Sequence, residues 1–229
     1  SFSEQKMRIQ RDTYLNRVIE SRHNNMIKII TGVRRSGKSY LLFNLFSDWL
    51  TEKGIAADHI IKIDLENRRN RALRDPDALL EHIDSKMVDE KMYYILIDEI
   101  QLVDEFEDVL NSYLKIENAD VYVTGSNARF LSKDVITTFR GRGEEIKIYP
   151  LRFREYISAT DMPVELAFEE YMTYGGLRQI VEYPSAERKV EYLKALFAET
   201  YLTDIKERYK VRNDEELEIL LDIISSSIG

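Results

Sequence analysis

Residues 32–39 set two glycines, a lysine and a serine at a spacing that could hold phosphate. Their letters, GVRRSGKS, fit the pattern G-x-x-x-x-G-K-[ST] at every fixed position. Glycine lets the backbone wrap closely around an anion, and the first N–H groups of a following helix carry positive partial charge. The lysine would reach the β- and γ-phosphates of a nucleotide, and the serine hydroxyl would ligate Mg²⁺. The predicted nucleotide-binding residues are Gly32, Val33, Arg34, Arg35, Ser36, Gly37, Lys38, Ser39 and Tyr40.

The segments on either side of this run support the same interpretation. An apolar stretch, MIKII, precedes it, and a helical pattern with leucines on one face follows it. A phosphate-binding loop requires this strand–loop–helix context. Arg34 and Arg35 occupy variable positions, where they could steer phosphate, pair with a neighbouring acidic group, or remain solvated loop charges. The sequence therefore predicts a site for ATP or ADP.

A second apolar stretch, YYILI, ends in Asp98 and Glu99. Such a stretch is typical of a strand buried on both faces, and parallel sheets bind ligands at the carboxyl ends of their strands. We expect Asp98 to hold Mg²⁺ and Glu99 to activate the attacking water, with Lys38 stabilising the phosphate. The pair favours ATP hydrolysis over a GTPase arrangement, because the sequence contains no Asn-Lys-x-Asp tetrapeptide.

Two further groups could act on the phosphate. Ser126 and Asn127 follow the strand pattern VYVT, and we expect them to contact the attacking water or the γ-phosphate. Thr124 is a weaker candidate, and ordinary turn chemistry is the alternative. Arg140 and Arg142 precede the last strand pattern, where an arginine could stabilise the transferring phosphate within its own subunit or across an interface. Arg142 is preferred, and an exposed basic loop is the competing interpretation.

Composition excludes several classes of function. The 229 residues include no cysteine, which rules out disulfides, thiolate metal sites and thiol nucleophiles. The 3 histidines are scattered and give no metal-ligand spacing. A net charge of −8 argues against a protein dominated by non-specific nucleic-acid binding. No apolar run is long enough to cross a bilayer and no signal peptide is present, so we expect a cytoplasmic protein without a membrane partner.

Strand and helix patterns alternate as far as Pro150. This alternation predicts an α/β domain over residues 1–150, with a parallel sheet covered by helices on both faces. Beyond Pro150 the periodicity is helical, which predicts an all-helical lid subdomain over residues 151–212. The amphipathic pattern of residues 213–229 is expected to begin a further domain of a longer protein. The predicted helices are 4–22, 39–49, 76–89, 104–116, 153–160, 163–174 and 186–210, and the predicted strands are 26–30, 60–65, 93–98, 121–124 and 145–149.

Five segments of the sequence occur together in a characteristic order. They are GVRRSGKS at 32–39, IDEIQ at 97–101, TGSN at 124–127, Gly141-Arg142 followed by YPLRFREY at 149–156, and YGGL at 174–177. Together they resemble a family of prokaryotic AAA-type ATPases over about residues 10–225. The paired arginines of the loop and the Pro-Leu-x-Phe-x-Glu stretch are the specific parts. One departure is the pair Leu177-Arg178, because the family often has a proline after the two glycines.

The resemblance implies a fold and a domain arrangement. It implies a P-loop NTPase three-layer sandwich with an added strand, sheet order 5-1-4-3-2 and a helical lid. It also implies a C-terminal winged-helix and nuclease-like region, which this sequence lacks. The leading hypothesis for function is an ATP-driven conformational machine that hydrolyses ATP with Mg²⁺.

Other functions remain open at this stage. The chain could be a nucleotide-gated binding module with little turnover, or a small-molecule kinase that shares the loop. It could form a homo-oligomer, and it could act on DNA or a protein partner through the missing C-terminal region. The basic segment Arg68-Arg69-Asn70-Arg71 is the local hint of DNA binding, and a solvated loop is its simpler explanation.

Overall fold

A five-stranded parallel sheet forms the centre of the structure, a computed structural model that describes residues 11–125, 139, 141–198, 202 and 214–227. The strand order is β2-β3-β4-β1-β5, which confirms the predicted order 5-1-4-3-2 and the α/β class. All the strand pairings are parallel, so the carboxyl ends of the strands meet at one edge. The strands are β1 (Ile27–Thr31), β2 (Ile60–Asp64), β3 (Tyr93–Asp98), β4 (Ala119–Gly125) and β5 (Gly143–Lys147).

Helices connect the strands and follow the last one. α2 is continuous and consists of three segments, of which the first and last are α-helical and the middle one is π-helical. Short 3₁₀ segments cover Ala57–His59, Arg68–Arg74 and Ile100–Leu102. The helices are α1 (Asp12–Glu20), α2 (Lys38–Tyr40, Leu41–Phe46 and Ser47–Glu52), α3 (Pro76–Asp84), α4 (Phe106–Tyr113), α5 (Phe153–Ile157), α6 (Val164–Tyr174), α7 (Arg178–Glu182), α8 (Ala186–Leu196) and α9 (Asp214–Ser227).

Alternate side chains of the strands pack into two separate cores. Ile95 and Ile97 of β3 face a core that includes residues of α3 and α4. Tyr94 and Leu96 of the same strand face a core that includes residues of α1 and α2. Because successive side chains point to opposite faces, a strand between two helical layers is apolar at every position. The result is the predicted three-layer sandwich. Because helices cover both faces of the sheet, its carboxyl edge is where a ligand can reach the strand ends.

Some helices are shorter than their sequence patterns. The helix predicted over 76–89 ends at Asp84, and beyond it the N–H groups of Val88 and Asp89 donate to the Tyr93 hydroxyl at 3.0 Å and 3.3 Å. The helix predicted from residue 104 begins at Phe106, because Glu105 has the left-handed φ of 52°. Of the helix predicted over 4–22, the described residues contain Asp12–Glu20, and residues 1–10 lie outside the described part. The five-residue helix α7 had no sequence prediction.

The chain divides into two compact units, residues 1–183 and 184–229. The first contains the sheet and the helices α1 to α7, so the three helices α5, α6 and α7 beyond Pro150 share a unit with the sheet. The second contains α8 and α9. The sequence boundary near Pro150 therefore falls inside the first unit, and the functional division into an ATPase domain, a lid and a further domain stays a prediction. Within the described residues, no helix has both the length and the apolarity to span a membrane.

Candidate active site

The loop of residues 32–39 joins β1 to α2 at the carboxyl edge of the sheet. Gly32 has a φ of 152°, and a Cβ at this position would lie 2.3 Å from the carbonyl oxygen of Ile148. Gly37 has a φ of 96°, and its Cβ would lie 3.2 Å from Nη1 of Arg11. Both backbone conformations favour glycine, and at Gly32 no side chain fits. The loop thus has the close backbone approach that the phosphate-binding pattern requires.

Lys38 is buried at the beginning of α2. Its Nζ donates hydrogen bonds to the carbonyl oxygens of Gly32 and Val33, each at 3.1 Å. Burial lowers the pKa of Lys38, and the nearby carboxylates of Glu99 and Asp98 oppose that shift. The ammonium group is therefore folded back over the loop, where phosphate oxygens would replace carbonyl oxygens as its acceptors.

Asp98 ends β3 and brings a carboxylate to the loop. Its Oδ2 accepts a hydrogen bond from the Ser39 hydroxyl at 2.7 Å, and its Oδ1 accepts one from the Thr124 hydroxyl. Burial raises the pKa of Asp98 to about 6, against the lowering effect of the two hydroxyls. A buried carboxylate beside a hydroxyl suits a small divalent cation, whose charge would restore its acidity.

The donor set also limits how a cation would be held. Among the described residues, no group of three or more His, Cys, Asp or Glu side chains could hold a metal ion. A cation here would therefore take Ser39, Asp98, phosphate oxygens and water as ligands. Mg²⁺ is bound in this way in nucleotide sites, because it keeps several waters and needs few protein ligands. The residues present fit Mg²⁺ bound together with a nucleotide.

Glu99 is buried next to Asp98 and has the left-handed φ of 55°. Its backbone N–H donates to the Thr124 hydroxyl at 2.9 Å, and Oε2 of its side chain accepts from the amide of Gln101. The Thr124 hydroxyl thus joins both acidic residues, as a donor to Asp98 and an acceptor from Glu99. The sequence makes Thr124 a weaker candidate for contact with the attacking water or the γ-phosphate. In the structure, its hydroxyl contacts the two acidic residues.

Replacing Thr124 with Val tests this arrangement. Valine has the same shape without a hydroxyl, so it leaves the buried Asp98 oxygen and Glu99 N–H without this partner. An unmade buried hydrogen bond costs about 1–3 kcal/mol. For the ATP hydrolysis that the sequence predicts, we expect T124V to lower turnover by about 10- to 100-fold, and T124S to retain most of the activity. Phosphate release at saturating ATP measures the effect, and equal losses in T124V and T124S would contradict it.

The remaining loop residues have different surroundings. Nη1 of Arg34 lies 3.7 Å from Oε1 of Glu66. Of the three roles considered for Arg34 in the sequence, the structure shows the pairing with a neighbouring acidic group. Arg35 is exposed and has a φ of 65° at the turn of the loop. The guanidinium of Arg178, at the beginning of α7, lies 4.4 Å from the ring centre of Tyr40. The predicted site residues Ser126, Asn127 and Arg140 lie outside the described residues.

Arg142 lies at the opposite edge of the sheet from the loop. Its carbonyl oxygen accepts the N–H of Ile27, the first residue of β1, at 2.9 Å. The loop follows Thr31 at the other end of β1, about 13 Å further along at 3.3 Å per residue. The structure therefore does not bring Arg142 to the site of its own chain. Of its two predicted roles, the one across an interface is compatible with this position, and it stays a prediction.

Two arginines near the loop had no functional prediction. Arg11 precedes α1, and its Nη1 donates to the carbonyl oxygen of Ser36 at 2.6 Å. The guanidinium of Arg178 lies against the ring of Tyr40. In the sequence, Arg178 is noted only because the family often has a proline after the two glycines. Each contact joins segments far apart in the chain, so local spacing carried no signal for either residue.

A cavity of about 570 Å³ lies beside Arg11. Tyr14, whose ring centre is 4.5 Å from the guanidinium carbon of Arg11, lines this cavity, as does Glu155, which pairs with Arg11 at 3.4 Å. The volume lies within the range of small-molecule pockets, about 300–1,000 Å³. The other lining residues are Asp12, Thr13, Arg152, Arg154, Ile157 and Ser158.

A family profile described as an AAA domain matches residues 24–157, a span that contains the phosphate loop and the acidic end of β3. This chain belongs to the AAA domain family. The AAA domain assignment agrees with the sheet order and with a nucleotide-binding P-loop at the carboxyl edge. It confirms the resemblance to prokaryotic AAA-type ATPases that the sequence motifs indicate.

Two curated relatives match nearly the whole AAA chain. An uncharacterized protein of Haemophilus influenzae is 35% identical over 231 residues, covering 98% of this chain and 57% of the relative. An uncharacterized protein of Methanocaldococcus jannaschii is 30% identical over 214 residues, covering 87% of this chain and 46% of the relative. This AAA chain thus spans about half the length of the curated relatives it matches.

A solved structure shares the fold of this AAA chain. A Walker-type ATPase of Pyrococcus abyssi superposes with a TM-score of 0.61 and 17% sequence identity, covering 88% of this chain and 76% of the other. At this level of identity the likeness shows the fold alone.

Proposed function

We propose that this AAA chain binds ATP with Mg²⁺, hydrolyses it to ADP and phosphate, and uses the reaction to drive a conformational change. The observation that carries the proposal is the 2.7 Å hydrogen bond between the Ser39 hydroxyl and Oδ2 of Asp98. This contact joins the end of the phosphate loop to the acidic end of β3. The two groups are the pair from which P-loop proteins hold Mg²⁺.

Each residue of the site has a role in this proposal. The loop N–H groups and Lys38 bind and orient the phosphates, while Ser39 and Asp98 hold Mg²⁺. When bound, Mg²⁺ neutralises charge on the phosphate oxygens. Glu99 accepts a proton from the attacking water, and its backbone is fixed for this task by Thr124.

A phosphate-release assay with ATP and Mg²⁺ tests the proposal. We expect sustained release from the wild-type chain and loss of both binding and release in Lys38→Ala, because the buried ammonium is the side-chain cation proposed to contact the phosphates. Lys115→Ala removes an exposed lysine after α4 and is the matched control, which should behave as the wild type. Release that persists in Lys38→Ala would contradict the proposal.

A nucleotide-gated switch with little turnover is the second candidate. The amide of Gln101 donates a hydrogen bond to Oε2 of Glu99, so one oxygen of the proposed base is already engaged. If this contact persists when ATP is bound, it would weaken Glu99 as a base, and the chain would hold the nucleotide with little turnover. Tight ATP binding with negligible phosphate release from the wild-type chain would support the switch over the ATPase.

The position of Arg142 bears on the assembly. Because Arg142 lies at the amino edge of its own sheet, its proposed role in stabilising the transferring phosphate requires a second subunit. We therefore propose a homo-oligomer as the active form. We also propose that a DNA or protein partner binds through the region that the longer relatives have in addition to the part matched by this chain.

A further inference from the structure

We infer that Arg11 is a positioning residue of the phosphate loop, which holds the peptide between Ser36 and Gly37 so that the Gly37 N–H faces bound phosphate. Arg11 precedes α1, 25 residues before Ser36, and lies outside the motif that defines the loop. The inference rests on the proposed function, because it concerns how this site holds the phosphates of ATP and ADP.

The contacts of Arg11 extend in three directions. Its side chain is buried, with 2% of the residue exposed. Nη1 donates to the Ser36 carbonyl oxygen at 2.6 Å, and Nη2 donates to the Tyr149 carbonyl oxygen at 2.5 Å. Nε lies 3.4 Å from Oε1 of Glu155. A planar guanidinium has the donor fork that this geometry needs, whereas a lysine ammonium lacks it.

The contact with Ser36 sets the direction of the next N–H group. A trans peptide is planar, and its C=O and N–H bonds point in opposite directions. Because Arg11 holds the Ser36 carbonyl on one side, the N–H of Gly37 points to the other side. The preceding N–H, that of Ser36, is committed to the Val33 carbonyl oxygen at 3.2 Å within the turn. Arg11 therefore fixes the N–H group of Gly37, the residue that precedes α2, at the helix end that favours an anion.

The space around Gly37 agrees with this role. A Cβ on Gly37 would lie 3.2 Å from Nη1 of Arg11, so the guanidinium packs directly against the loop. Two other contacts of Arg11, with Tyr149 and Glu155, anchor the guanidinium to residues outside the loop. A residue anchored in this way keeps the peptide in one orientation before the nucleotide arrives, which removes an ordering cost from binding.

The test is a comparison of Arg11→Met and Arg11→Lys with the wild-type chain. We expect Arg11→Met to raise the Kd for a fluorescent ADP and the KM for ATP by about 10- to 100-fold, the equivalent of one hydrogen bond to a charged group. The kcat at saturating ATP should change less than KM, because Arg11 does not touch the reacting atoms. Arg11→Lys keeps the buried charge and should recover part of the affinity.

Two control variants separate positioning from simple stability. Arg17→Met removes an exposed arginine from α1 and should leave Kd and KM unchanged. Val18→Ala removes buried volume from the same helix, so it should lower Tm without changing Kd. Arg11→Met with wild-type Kd and KM would overturn the inference, even if its Tm falls. If Arg11→Met does not fold, Arg11→Lys decides: a raised Kd supports the inference, and a wild-type Kd overturns it.

The same experiment distinguishes this inference from the proposed function. A wild-type chain that binds no fluorescent ADP would overturn both. A wild-type chain that binds ADP and hydrolyses ATP, with both Arg11 variants equal to it, would overturn only the role of Arg11.

Discussion

ATP turnover is expected to fall by about 10²- to 10⁴-fold when Glu99 is replaced by Gln, while the affinity for ATP is retained. Glutamine has the shape of glutamate but cannot take a proton from water. The hydrogen bond from the backbone of residue 99 to Thr124 does not depend on the side chain, so the loop and β3 keep their positions. Phosphate release measures turnover, and equilibrium titration with ATP measures binding.

Glu105→Gln is the matched control for this variant. Glu105 is also an acidic residue with a left-handed φ, 52° against 55° for Glu99, but it is exposed before α4. The same change of charge and shape is therefore made in the same backbone conformation, away from the phosphate loop. Glu105→Gln should hydrolyse ATP as the wild type does. Unchanged turnover in Glu99→Gln would remove Glu99 from its proposed role.

Glu99→Gln also separates the two candidate functions. In an ATPase, this variant binds ATP and keeps it, so bound ATP accumulates where the wild type holds ADP. In a nucleotide-gated switch, the wild type itself keeps ATP, and the variant behaves in the same way. Identification of the nucleotide that remains bound after incubation with ATP and Mg²⁺ distinguishes these outcomes.

The parts of the site that the sequence predicts are those whose chemistry is local. The phosphate loop is eight consecutive residues, and its glycines occupy the positive-φ positions that the pattern requires. The sequence predicts strand β3 with its observed bounds, Tyr93–Asp98, because a strand buried on both faces is apolar without interruption. The position of Asp98 and Glu99 at the carboxyl edge follows directly from these bounds.

The parts that the sequence does not predict depend on contacts between distant segments. Thr124 meets Asp98 because β3 and β4 are neighbours with Ile97 opposite Val123, and the sheet order came only from the family resemblance. Arg11 meets Glu155 across 144 positions of the sequence. The position of Arg142 at the far edge follows from the pairing of β1 with β5. No periodicity within a single segment encodes any of these contacts.

Replacing Gly32 with Ala should abolish nucleotide binding and destabilise the chain. The added Cβ would lie 2.3 Å from the carbonyl oxygen of Ile148 and 2.9 Å from Oγ of Ser36. The backbone at Ile148 cannot yield easily, because its N–H donates to Thr31 at 2.7 Å at the end of the sheet. Overpacking and backbone strain each cost about 1–3 kcal/mol, so we expect a loss of about 2–6 kcal/mol in stability. Thermal unfolding and ADP titration measure the two effects.

Gly54→Ala is the control that isolates backbone strain from the clash. Gly54 also has a positive φ, 86°, but no atom lies within 4 Å of the position its Cβ would take. Alanine there should cost about 1–2 kcal/mol from the left-handed conformation alone and should leave ADP affinity unchanged. Both variants place alanine at a positive φ, 152° at residue 32 and 86° at residue 54, and of these two positions the Cβ meets other atoms at residue 32. A loss of stability in Gly32→Ala beyond the roughly 1–3 kcal/mol of backbone strain therefore measures how tightly the loop is packed against Ile148. Equal effects on stability, with ADP still bound by Gly32→Ala, would show that the loop yields to a side chain and that its close packing is not what shapes the phosphate site.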